Sequence, residues 1–487
     1  MKKELVHFYD WLVYHPYKKP SAEIDFEYLE VANKVFARLQ KHIDLYSIVS
    51  HSAVKTMAVV LTSYLEDVVS HIGIWETFND ECMKHYGFNV PFFKEADDYV
   101  KGDVNIEDIK FLIWLIIKNE NTTMFINPEN SEISKIADDV YEILSDEYQY
   151  VPENEIYRQY LVGKFDDFYK YREFLTWFHY NCYLNLDNFY IVNQGMNEML
   201  DKGYNLSNKE RNLFMYSYEV HTFFNNRTHF FGYTSYDWLC AVRKLNGAND
   251  IWDNMRTEYG TYQVLDEDEC FVYFKNVESG EKRNLTKRSL NDTVPFAKGQ
   301  CFTFAIVQCD GEWLLNGSMI NTKLSDKDVE DRVRNKKLKD DSDFRYYEKF
   351  MEVNDNKQLI FFASAADYKD FLRNKMGLKF NDEIIKLPFD GAFAMFVEKD
   401  GQYLFKEMMD CIKAESNPTY NRTFANENAA GFYISDEIHP YTLACYLKDN
   451  DLLPDARLVS AKGDDHGRKF LNDNLQFIID FAHRNCR

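Results

Sequence analysis

The chain has 487 residues, with 57 Lys and Arg against 79 Asp and Glu, for a formal charge of −22. That length fits roughly two to four domains of about 100–200 residues, with a core large enough to fold without a metal or disulfide. The negative charge repels nucleic acid and anionic membranes at long range, so the expected partner is a protein or small molecule, with neither nucleic acid nor membrane expected.

The nine cysteines (Cys82, Cys182, Cys240, Cys270, Cys301, Cys309, Cys411, Cys445 and Cys486) are scattered and include no CxxC pair. Such a set reads as reduced thiols of a cytoplasmic protein. The 39 Phe and 34 Tyr read as aromatic packing. The basic start of the chain carries no secretory signal, because Glu4, His7 and Asp10 interrupt its apolar residues.

The first half carries helical periodicity. Val54, Met57, Ala58, Leu61, Leu65, Val68 and Ile72 mark one helix face, and Lys55, Thr56, Ser63, Glu66 and Ser70 the opposite one. Gly73 allows a turn into a short helix over Trp75–His85. Asn105 is a predicted cap for the next helix, whose run Phe111–Ile117 is apolar all round and therefore buried. That run has seven residues, against about 20 for a membrane span. Asn127-Pro128-Glu129 predicts another helix start, and a long helix is expected from about Glu155 through Cys182.

The texture changes near Gly260. Strands are predicted at Tyr262–Leu265, Cys270–Asn276, Lys282–Leu285, Cys301–Gln308 and Trp313–Ser318, with hairpin turns at Glu278–Glu281 and Cys309–Glu312. A charged helix follows from Ser325. Beyond it come a strand at Leu359–Ala363, a helix at Ala365–Lys375, a strand at Ala392–Val397, a helix at Tyr403–Lys413 and a last helix at Lys469–His483. The expected fold is α+β: a helical domain over 1–258, a small β-barrel-like or bent-sheet domain over 259–322, and an α/β part over 323–487.

No GxxxxGK[ST], strand-linked GxGxxG, HExxH or GxSxG motif occurs. Asp464, Asp465 and His466 between two glycines offer divalent-cation ligands, but an exposed turn capping the last helix explains them, and no metal or other cofactor is expected. His179 and Cys182 lie three apart on a predicted helix, where Cys182 continues the apolar stripe as a structural thiol. Asp67 and His71 read as a helix-surface hydrogen bond. His221 and His229 have no evident third ligand.

Two basic clusters stand out. Arg332, Arg334, Lys336, Lys337 and Lys339 are interleaved with acids and read as a solvated helix. Lys282, Arg283, Lys287 and Arg288, with Trp313, are the expected binding surface of the β region.

Asp10-Trp11-Leu12 with His15-Pro16-Tyr17, Tyr28-Leu29, Tyr64-Leu65-Glu66-Asp67, Gly73-Ile74-Trp75 and Leu453-Pro454-Asp455-Ala456 resemble an uncharacterised family of large cytosolic proteins from anaerobic gut bacteria. The resemblance spans most of the chain and implies no activity. The function expected is that of a binding or interaction protein of the bacterial cytoplasm. The alternative is an enzyme of unrecognised type, hydrolytic or acting on nucleic acid.

Overall fold

Ser50 opens the longest helix of the N-terminal part, its hydroxyl accepting the Ala53 amide in a standard cap. This helix is buried nearly all round, Glu66, Ser63 and Ser70 included, so the polar face expected there is not solvent-facing. The computed structural model describes residues 4–19, 23–93, 98–121, 125–201, 207–248, 251–290, 296–381, 391–406, 410–426, 441–455 and 457–482.

The first helices are α1 (Phe8–Leu12), α2 (Ile24–Leu39), α3 (His51–Val69), α4 (Ile74–Tyr86), α5 (Ile106–Glu120) and α6 (Ser131–Glu147). Next come α7 (Glu155–Leu161), α8 (Phe168–Asn181), α9 (Asn188–Asp201), α10 (Asn208–Asn225) and α11 (Ser235–Leu245). The long helix expected from Glu155 is two helices, α7 and α8. The chain leaves the helical path around Gly163, and Asp167 caps the restart by accepting the Lys170 amide. In α5, Phe111, Leu112, Ile113, Trp114 and Leu115 are all at most 1% exposed, as the all-round apolar run requires.

Strands β1 (Arg256–Glu267), β2 (Phe271–Asn276), β3 (Lys282–Thr286), β4 (Cys301–Cys309) and β5 (Glu312–Thr322) form one sheet in the order β1-β2-β3-β5-β4. β1 carries a bulge between Val264 and Asp266. The sheet curls so far that Val264 exchanges backbone hydrogen bonds with Gly299 and Gln300, just before β4. Asp310 and Gly311, at φ 50 and 78, make the tight turn between β4 and β5.

Helix α12 (Asp326–Val353) is the expected charged helix, opened by a Ser325–Asp328 capping box. Then come β6 (Leu359–Phe362), α13 (Ala365–Asn374), β7 (Phe393–Val397), β8 (Tyr403–Lys406), α14 (Tyr441–Asp449), α15 (Asp464–Asp473) and α16 (Leu475–Ala482). β7 alternates: Phe393, Met395 and Val397 join the core with Phe350 and Leu372, while Ala394 and Phe396 join Leu443 and Leu447 on the other face.

Two expectations fail here. Tyr403 begins a strand rather than a helix, because the Asp400-Gly401 turn sends the chain back antiparallel to β7, pairing Phe405 with Met395. The last helix breaks at Asn474, whose side chain bonds back to the Phe470 carbonyl. The structure is α+β, with helices leading, a five-stranded sheet following and mixed elements last.

The chain forms two compact units. The first is Met1–Tyr259 with Phe304–Ile320, and the second is Gly260–Thr303 with Asn321–Arg487.

Candidate functional site

The first unit holds two concentrations of chemistry, one sealed and one open. The sealed one begins at the turn after α1. Here His15 Nδ1 lies 3.0 Å from the Trp11 carbonyl oxygen. A carbonyl only accepts, so Nδ1 carries the proton and Nε2 is aimed at Glu66 of α3, 2.8 Å from its Oε2. Asp25, at the start of α2, places Oδ1 3.9 Å from the same nitrogen. Among the described residues, these three are a group whose ligand atoms lie within 4.8 Å of one another. All are buried, with side chains at most 1% exposed.

Each carboxylate is further held by neutral donors. Trp11 Nε1 and the Tyr17 hydroxyl both donate to Asp25 Oδ1 at 3.0 Å. Asn154 Nδ2, at the cap of α7, donates to Glu66 Oε1 at 2.8 Å and to the Tyr17 oxygen at 2.7 Å. Burial alone would lower the imidazole's proton affinity, but Glu66, with Asp25 and the Trp11 carbonyl behind it, outweighs burial and raises it. The cluster can hold a proton or a cation, but a substrate has no route to it.

Two more buried carboxylates lie in the same unit. Asp67 accepts from the Gly73, Ile74 and Trp75 amides and from the Tyr183 hydroxyl, and so tethers the start of α4. The surface bond expected with His71 is therefore replaced by a buried helix-terminus site, and His71 itself is exposed. Burial raises the Asp67 carboxyl to about 6, against those hydrogen bonds. Burial likewise raises Asp108 to about 7, against bonds from Tyr64, Tyr99 and Asn105.

The open site lies between α8 and α10. It is a cleft of about 210 Å³ lined by Tyr169, Arg172, Glu173, Thr176, Tyr216, Glu219, Val220 and Phe223. The Arg172 guanidinium sits over the rings of Phe168, Tyr169 and Tyr216 at 5.1–5.5 Å. It donates to Asn316 Oδ1 at 3.1 Å and to the Tyr216 hydroxyl. Both acceptors are neutral, and among the described residues Arg172 has no carboxylate partner. Asn316, on β5, is fully buried and also donates to the Val220 carbonyl. Next to it, Gly317 at φ 107 brings the strand against α10, where the Ser318 amide donates to Ser217 Oγ at 2.8 Å. Glu219 accepts from the Tyr180 hydroxyl at 2.9 Å.

The residues singled out in the sequence lie elsewhere. Lys282 and Arg283 are on β3, with Lys287 and Arg288 in the turn after it. Arg283 pairs with Glu281 at 2.6 Å and Lys287 with Glu267 at 2.8 Å. Trp313 belongs to the first unit and is 8% exposed. Asp464 and Asp465 occupy the first turn of α15, which Gly463 caps, and they pair with Arg457 and Arg468. His466 follows them on the same helix.

His179 turns Nδ1 to Ser235 Oγ at 2.7 Å, and burial pushes the Cys182 thiol up to about 12, which keeps it protonated. His229 pairs with Asp187 at 2.7 Å, while burial pushes His221 down to about 4.

Sequence reasoning singled out neither site. His15, Tyr17, Tyr28 and Glu66 stood in motifs shared with a family, without a role. The family described as "Protein of unknown function (DUF3843)" matches residues 6–298 and 311–484, a span that takes in the buried cluster and the whole cleft. The chain belongs to that family. No curated protein and no solved structure matches it. In this family member, no single described helix is long and apolar enough to cross a membrane.

Proposed function

We propose that this protein is a cytoplasmic binding protein and that its ligand site is the Arg172 cleft. The carrying observation is that the guanidinium is held by three aromatic rings and two neutral oxygens, without a carboxylate partner among the described residues, in a chain of net charge −22. An arginine fixed in this way keeps donors for an incoming anion, and a guanidinium matches a carboxylate in two-point geometry.

Glu173 and Glu219 line the same cleft and suit an amine on the same molecule, while Tyr169, Tyr216 and Phe223 supply apolar walls. A volume of about 210 Å³ falls below the roughly 300–1,000 Å³ of drug-sized pockets and suits a ligand of amino-acid size. The nine scattered cysteines, with no CxxC pair, and the acidic composition support the cytoplasmic setting.

Isothermal titration with free phenylalanine, glutamate and lysine as probes tests the reading. Binding of at least one is expected, weakened about tenfold or more in Arg172→Ala, because a charge-assisted hydrogen bond contributes about 1.5–3 kcal/mol. Equal heats for wild type and Arg172→Ala would remove the cleft as the site.

A further inference from the structure

The buried group His15, Asp25 and Glu66 is independent of the cleft, and its geometry has features of a metal centre rather than of a simple ion pair. Donor atoms about 2.0–2.2 Å from one ion stand roughly 3–3.5 Å from each other. The separations of 2.8 Å from His15 Nε2 to Glu66 Oε2 and 3.9 Å to Asp25 Oδ1 bracket that range. The imidazole is locked from behind by the Trp11 carbonyl on Nδ1, which fixes the tautomer whose Nε2 lone pair faces the two carboxylates.

Glu66 also carries the outer donor that ligating carboxylates carry, Asn154 on Oε1, the oxygen not facing His15, while Trp11 Nε1 and Tyr17 both donate to Asp25 Oδ1 and fix that carboxylate in place. These partners lie outside the three ligands and come from α1, the turn after it and the cap of α7. A lone pair held 2.8 Å from a carboxylate oxygen needs a positive centre between them. One proton on His15 balances one of the two carboxylates, whereas a divalent ion with neutral His15 balances both. At side-chain exposures of at most 1%, that difference in charge is expensive.

We propose that His15 Nε2, Asp25 and Glu66 bind one divalent transition-metal ion, which ties the turn after α1 and the start of α2 to α3 as a closed structural centre. One nitrogen and two carboxylates make a hard-to-borderline set that suits Zn²⁺, Mn²⁺ or Fe²⁺. Because the site is sealed, the ion acts in folding rather than in catalysis.

Elemental analysis of full-length protein purified without chelator is expected to find about one equivalent of such an ion per chain. X-ray absorption at that metal's edge should show only nitrogen and oxygen donors. Protein stripped with a chelator should melt at a lower temperature and recover on adding Zn²⁺ or Mn²⁺ alone, and Glu66→Gln should lose that recovery. A sulfur shell would place the ion on cysteines and overturn the proposal. So would a wild type that is folded, metal-free and unmoved by Zn²⁺, Mn²⁺ and Fe²⁺, which would leave a proton between His15 and Glu66. If Glu66→Gln does not fold, the donor shell and the metal-dependent melting of the wild type decide alone.

Discussion

His15 Nε2 and Glu66 Oε2 stand 2.8 Å apart, fully buried, although 51 residues separate them in sequence. Around this pair the first unit concentrates titratable groups in its interior, and that concentration sets how its stability responds to pH. Asp67 and Asp108 have carboxyls raised by burial from the ordinary 3.8 to about 6 and about 7. Between those limits the folded chain binds more protons than the unfolded one. Their stabilising contribution is therefore complete below about pH 4 and is lost as pH rises through 6 and 7. His15 is raised as well, so its contribution is present below its ordinary 6.5 and lost as pH rises past its folded value. The three signs agree, and together they outweigh His221, which burial holds down at about 4 and whose opposite contribution is complete by about pH 6.5. Chelated protein should lose at least about 1 kcal/mol of unfolding free energy between about pH 5.5 and 8, and Asp108→Asn should flatten the slope. Denaturant melts showing stability rising across that window would contradict this account.

Gly317 is the close approach that seats β5 on α10. A Cβ there would lie 3.0 Å from Ser217 Cα and 3.1 Å from a Val220 methyl, on a backbone at φ 107. Gly317→Ala is expected to cost about 1–3 kcal/mol through combined strain and overpacking. It should also weaken ligand binding in the neighbouring cleft, because Asn316 would no longer hold Arg172. An unchanged melt would mean that the strand can withdraw from the helix freely.

Leu112 is fully buried in α5. Leu112→Ala should destabilise the first unit by about 2–5 kcal/mol. A loss below about 1 kcal/mol in denaturant melts would show that the core refills the space.

Of the eight described cysteines, Cys270 is exposed. Burial pushes the thiols of Cys82 and Cys182 upward. Under native conditions iodoacetamide should label Cys270 first, leaving Cys82 and Cys182 for denaturant. Peptide mapping that found Cys182 among the earliest modified residues would reopen its pairing with His179.

The helices of the first unit were legible because their apolar positions repeat on a helical period, and the strands after Gly260 because turn residues punctuate them. Tyr403 was misread because a four-residue strand is too short to show its own period, and the Asp400-Gly401 signal before it was the better guide. Glu66 was placed on a solvent face because a carboxylate on a helix is usually exposed. Its burial depends on His15 and Asn154, which sit 51 residues before it and 88 after it. The Arg172 cleft was equally hidden, since Asn316, 144 residues away, sets the arginine's position. Contacts at that sequence separation leave no local pattern to read.

The cleft around Arg172 is proposed to bind a small molecule through its carboxylate. Equilibrium dialysis of the full chain against an equimolar pool of free amino acids, read by mass spectrometry, tests it most directly. Wild type is expected to enrich one or a few of them. Arg172→Leu, confirmed to melt as a folded protein, should enrich none, and the matching decarboxylated amines should not be retained. Equal retention by wild type and Arg172→Leu, or retention of the amines without their carboxylates, would contradict it.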